Sequence, residues 1–137
     1  MRVLRIALAG LAASSALLIL NAVLFPVVFP HGLAEQFTNA RDHEPVAFHM
    51  LAFVATGLLI ASVAAFLRVS TLMGGIILGA LLGLLASLPE HLHLYAVTTA
   101  TAMRQFIPVP WTVATWSVAT GLAAVVPGWL PMAKSAR

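Results

Sequence analysis

The chain has 137 residues, 61% of them hydrophobic and only 8% charged, with a formal net charge of +3; its mean hydropathy is +1.02. That charge share is about a third of the usual one, which leaves too little polar surface for a water-soluble domain. The seven basic residues are scattered rather than clustered, which excludes a nucleic-acid surface, and the absence of cysteine excludes disulfides, thiolate metal sites and thiol catalysis.

The first apolar stretch runs from Val3 to Phe29 after a short basic start, Arg2 and Arg5. A signal peptide opens in the same way, and Ala12 to Ala16 could serve as a cleavage region. The apolar run nevertheless continues past the roughly 20 residues needed to span the hydrocarbon core. The expectation is a retained first transmembrane helix that frays at Pro26 and Pro30. A polar segment, His31 to Pro45, follows; it holds Glu35, Arg41, Asp42, His43 and Glu44. Pro45 suits the first turn of a second helix over 46–67, because proline lacks the amide hydrogen that is unpaired there.

Arg68 to Thr71 then form a tight turn. Short turns join antiparallel neighbours, so the second and third helices are expected to pack as a hairpin. The third helix, 72–95, is apolar to Leu88. Ser87-Leu88-Pro89-Glu90 fits either a capping box that opens a new helix or a proline kink in one longer helix reaching Tyr95; we favour the longer helix. The threonine-rich stretch 96–110, with Arg104, reads as a loop. A fourth helix over 110–130 precedes a short basic tail. The fold class expected is all-α: a single domain over 1–137, a polytopic membrane protein built as a four-transmembrane-helix bundle.

Positive residues set the orientation. Arg2, Arg5, Arg68, Lys134 and Arg137 fall on one side of such a bundle, and Arg41 and Arg104 on the other. The positive-inside rule then puts both termini in the cytoplasm, with a bacterial inner membrane as the expected location. Trp111 and Trp129 suit the two interfacial aromatic belts.

All four acids (Glu35, Asp42, Glu44, Glu90) and all five histidines (His31, His43, His49, His91, His93) then fall on the outer side. Imidazole and carboxylate together suit a divalent transition metal such as zinc, cobalt, nickel or iron. Glu90 and His93 stand three apart, hence on one helical face. This is the spacing used in di-iron bundles, although those carry two such motifs and further glutamates. His43 and Glu44 sit at the mouth of the second helix, with His49 about one and a half turns deeper, where an ionisable group is costly and usually functional. The candidate metal ligands are therefore His43, Glu44, His49, Glu90, His91 and His93. The competing explanation is that polar residues gather wherever a chain leaves the hydrocarbon, and that the acids there pair with Arg41 or Arg104. His31 and Glu35 read as solvated loop residues.

Gly75, Gly79 and Gly83 form a double GxxxG stripe on the third helix, the pattern that lets another backbone approach closely in lipid. Its partner could be another helix of the chain, a second copy, or a different membrane subunit. The same four-residue step leads to Ser87, His91 and Tyr95, but at 3.6 residues per turn it rotates Tyr95 away from Gly75, so packing alone is the simpler role. The hydroxyls of Thr112, Thr115, Ser117 and Thr120 can bond their own helix. Asn21 has no such local reason and is expected to bond across the bundle. No acid lies in the middle of any helix, which argues against a proton-coupled multidrug pump. No Ser/His/Asp arrangement, phosphate loop or dinucleotide fingerprint is present.

Two resemblances rest on these motifs. Arg41 with Glu44-Pro45, the glycine ladder, Leu94-Tyr95-Ala96 with Thr98-Thr99, and Gly121 with Gly128-Trp129 resemble a group of uncharacterised four-helix bacterial inner-membrane proteins, which implies no activity. Ala34-Glu35, Leu88-Pro89-Glu90, Arg104-Gln105, Trp111 and Ala119-Thr120-Gly121-Leu122 resemble, in their order, the cobalt-transporter membrane-subunit family. That likeness implies a role in divalent-metal uptake. The expected function is an integral membrane protein that binds or transports a divalent metal through its outward His/carboxylate cluster. The alternatives are an accessory subunit of a membrane complex held by the glycine stripe, and a small membrane enzyme that uses such a metal to activate water.

Overall fold

The computed structural model describes residues 2–28, 46–97, 106 and 108–129. Four helices dominate. Helix α1 (Arg2–Ile19) runs on through a π-helical segment, Leu20–Leu24, into a last turn, Phe25–Val28. Helices α2 (Val46–Phe66), α3 (Leu72–Val97) and α4 (Pro108–Trp129) follow. The fold is therefore all-helical, with boundaries within two residues of those read from the apolar runs. α3 continues unbroken through Pro89, which decides for one long helix over a new capped one. α4 starts at Pro108, so both Pro108 and Pro110 fall in its first turn, where a missing N–H leaves no hydrogen bond unmade.

Three spans are long and apolar enough to cross a membrane: Val3–Leu24, Leu72–His93 and Pro108–Val126. α2 has 21 residues, about 31 Å at 1.5 Å per residue, and Met50–Phe66 within it is apolar. The outside of the bundle agrees. On α3, Met73, Ile77, Leu81 and Leu85 recur every four residues and are exposed. Phe48, Leu51, Leu59 and Phe66 are exposed apolar residues of α2, at spacings of three, eight and seven. A helix satisfies its backbone hydrogen bonds internally, so this surface can meet lipid without unpaired polar groups.

Small residues decide which helices touch. A Cβ built on Gly75 would stand 2.6 Å from the Thr120 carbonyl oxygen, and one on Gly83 would stand 2.9 Å from Val113 Cα. Gly79 is pressed against the Trp116 and Ser117 backbone in the same way. The glycine stripe is thus filled by α4 of the same chain. Of the partners left open, another helix of the chain takes the stripe, which leaves it closed to a second copy or a partner subunit. A second contact of the same kind joins α1 to α2: Gly57 lies against Gly10 and Ser14. The signal was present as Gly10-x-x-x-Ser14, one small-residue step, but a single step stands out poorly in an alanine-rich helix.

α2 and α3 were expected to form a hairpin, and they do not pack as one. α3 lies along α4, α2 lies along α1, and α2 and α3 barely meet. Lipid offers no hydrophobic drive to pair chain neighbours, so close backbone approach selects the partners instead. α1, α2 and α4 surround a core of Ala9, Ala13, Leu17, Ile60, Ala61, Ala119 and Ala123, and α3 flanks that trio through α4.

The turn between α2 and α3 is built by two caps. Val69 N–H donates to the Ala64 carbonyl at 2.9 Å and Arg68 N–H to the Ala65 carbonyl at 3.3 Å, the paired bonds of a Schellman motif. Arg68 holds the left-handed position at φ 56°. Thr71 opens α3, its hydroxyl accepting from the Gly74 N–H at 3.1 Å.

Candidate functional site

The turn at 67–71 puts the start of α2 and the end of α3 at one end of the bundle, opposite Arg5 and Arg68. Within that end position 49 on α2 is set apart from Glu90, His91 and His93 on α3, because α2 and α3 barely meet and each packs on α4. His43 and Glu44 lie outside the described residues, as do His31, Glu35, Asp42, Arg41 and Arg104. Position 49 lies on the first turn of α2, but its imidazole is also outside the description. On α3, Glu90 and His93 are exposed one turn apart on a continuous helix, as the spacing required. His91 is half-buried, and its Nδ1 is buried with no hydrogen-bond partner. Among the described residues no three His, Asp or Glu side chains come together to hold a metal ion. The glycine step leaves Tyr95 turned outward. Tyr95 is 48% exposed and rests its ring against Phe106 at 5.9 Å.

The structure brings together a different set of polar groups. A cleft of about 430 Å³ opens among α1, α2 and α4, lined by Asn21, Thr56, Thr112, Thr115, Phe53 and Trp116 with Leu17 and Ala52. Asn21 fixes its upper part. The Asn21 side-chain amide donates to the Leu17 carbonyl at 2.8 Å, where the helical turn widens into the π segment. Its oxygen accepts the Trp111 Nε1–H at 2.9 Å. The expected cross-bundle bond of Asn21 is therefore made. Trp111, expected only at the interfacial belt, is half-buried and turns its N–H inward to make it. π segments recur where a helix serves a function, because the extra residue re-aims side chains and frees backbone groups.

Thr115 and Ser117 bond their own helix, as the sequence suggested: Thr115 the Thr112 carbonyl at 3.1 Å and Ser117 the Val113 carbonyl at 2.7 Å. Ser14 and Ser87 likewise bond Gly10 and Gly83 at 2.8 and 2.6 Å. Thr120 departs from this: its Oγ1 is buried without a partner. The cleft was not legible in the sequence because its threonines each have a local explanation, and Asn21 by itself does not show which residues it faces. Only the packing shows that three helices turn such residues toward one space.

The cleft begins one turn from position 49. Residues 49, 53 and 56 follow the three-and-four spacing of a single α2 face, and Phe53 and Thr56 line the space. By register, position 49 therefore shares the α2 face that lines the cleft. Glu90, His91 and His93 on α3 do not line it. No family model, curated protein or solved structure matches the chain.

Proposed function

We propose that this membrane-embedded bundle captures a divalent transition-metal ion at its histidine end, through His43, Glu44 and His49, and that the cleft among α1, α2 and α4 is the ion's way into the bundle. The cleft is the observation that carries this reading. Polar groups inside a lipid-embedded bundle are costly and are usually retained for a task. Here they line one space, beside a break in regular helix, directly below position 49. Both resemblance to the cobalt-transporter membrane subunits and the donor types favour a borderline-soft cation such as zinc, cobalt, nickel or iron. Positive residues favour a cytoplasmic location for the arginine end, so the ion would be met on the outer face.

Elemental analysis and thermal unfolding of the detergent-purified chain, with and without zinc or cobalt, test this. Metal should raise the melting temperature of the wild type. His49→Ala and His43→Ala should remove that rise, while Glu90→Ala and His93→Ala, on α3, should keep it. Identical melting of the wild type with and without metal sinks the proposal. Loss only in the α3 variants moves the site to α3. The accessory-subunit reading has lost its surface, since α4 fills the stripe that was to hold the partner.

A further inference from the structure

A second cavity, of about 390 Å³, lies at the opposite end of the same three helices. Arg5 of α1, with Arg68 and Ser70 of the α2–α3 turn, supplies its polar side. Its apolar wall is made largely of alanines, among them Ala9, Ala61 and Ala64. Three observations point the same way.

Among the described residues no carboxylate lines the cavity beside these charges. The chain's only acids are Glu35, Asp42, Glu44 and Glu90. Glu90 stands near the far end of α3, and the other three lie in the segment joining the far ends of α1 and α2. The two guanidinium groups therefore face the space with no carboxylate of the helices or the turn to meet them. Guanidinium matches phosphate through paired, charge-assisted hydrogen bonds.

The position of Arg68 is the second. Among the described residues it is the one non-glycine residue at positive φ, at 56°. A Schellman cap takes glycine there most readily. An arginine held against that preference points to a role for its side chain.

The wall is the third. Alanine methyls are too short to fill the space between the helices, so the cavity is apolar along its length and cationic at its mouth. A free phosphate would satisfy the arginines and leave the wall uncovered. A lipid covers both. Basic pockets between transmembrane helices commonly hold anionic headgroups.

We propose that this cavity seats an anionic phospholipid of the adjoining leaflet, its phosphate held by Arg5 and Arg68 and an acyl chain lying along the alanine wall. This site is separate from the metal reading and stands without it.

Thermal unfolding of the full chain in a neutral detergent tests the proposal, with phosphatidylglycerol, phosphatidylcholine and inorganic phosphate titrated separately. Phosphatidylglycerol should raise the Tm by about 4 °C or more at saturation, and the other two should not. Arg68→Gly is the decisive variant, because glycine suits the left-handed position: its lipid-free Tm should be kept or raised while the lipid shift falls by at least half. Arg5→Gln with Arg68→Gly should abolish the shift, and native mass spectrometry should show the bound lipid lost. An equal shift with inorganic phosphate would reduce the cavity to an anion site and overturn the lipid. An equal shift with phosphatidylcholine, no shift in the wild type, or a full shift in the double variant overturns the proposal.

Discussion

The two sides of α4 are packed in different ways. Toward α3, glycines at 75, 79 and 83 bring backbone against backbone, with Thr120, Trp116 and Val113 main-chain atoms where a side chain would stand. Toward α1 and α2, the contact is made by alanines, with Leu17 and Ile60 buried at 2% and 0% exposure, and it leaves a space at each end. Glycine contacts seal an interface because nothing remains to fit imperfectly. Alanine contacts hold helices apart by a methyl group and leave room that only larger residues could fill. The conspicuous glycine motif is therefore structural, and the two cavities open where the packing is looser.

Substitutions can break that contrast. The largest effect belongs to Gly79→Leu: even its Cβ meets the Trp116 backbone, so α3 must leave α4, at a cost on the order of 3 kcal/mol or more in detergent unfolding. Gly57→Leu should act similarly between α2 and α1, since its Cβ meets Ser14 and Gly10. If either is tolerated without loss of stability, the sealed-interface account is wrong. Asn21→Leu should cost less, about 1 kcal/mol, because one interhelical hydrogen bond in a membrane protein is worth little net. It should also change the emission of Trp111, whose N–H loses its acceptor.

Arg68→Gly sharpens the contrast from the other direction. Relief of the left-handed φ should stabilise the lipid-free protein by up to about 1 kcal/mol; a loss of stability without lipid would show that the arginine side chain serves the fold itself. The smallest effect is expected on the lipid-facing row of α3. Leu81→Ala removes an exposed side chain and should stay within about 0.5 kcal/mol, as surface changes do. A large loss there, measured by the same unfolding assay, would mean that the row is buried against something other than lipid.

The four helices and their limits were legible in the amino-acid sequence, because the length and apolarity of a segment decide whether it can span a bilayer, and both are local properties. The continuation of α3 through Pro89, the outward rotation of Tyr95 and the bond made by Asn21 were legible for the same reason: helical periodicity and the cost of a lone polar group need no knowledge of neighbours. Which helices pair was not local. The short turn at 67–71 suggested α2 against α3, and small-residue faces chose α1 and α4 instead. That choice sets Glu90 and His93 on α3 apart from position 49, which shares an α2 face with the cleft. It also joins Arg5 to Arg68 across 63 positions of chain. Tertiary structure alone decided these juxtapositions, because in lipid the selection of partners rests on the fit of two surfaces, and neither surface carries a record of the other in its own residues.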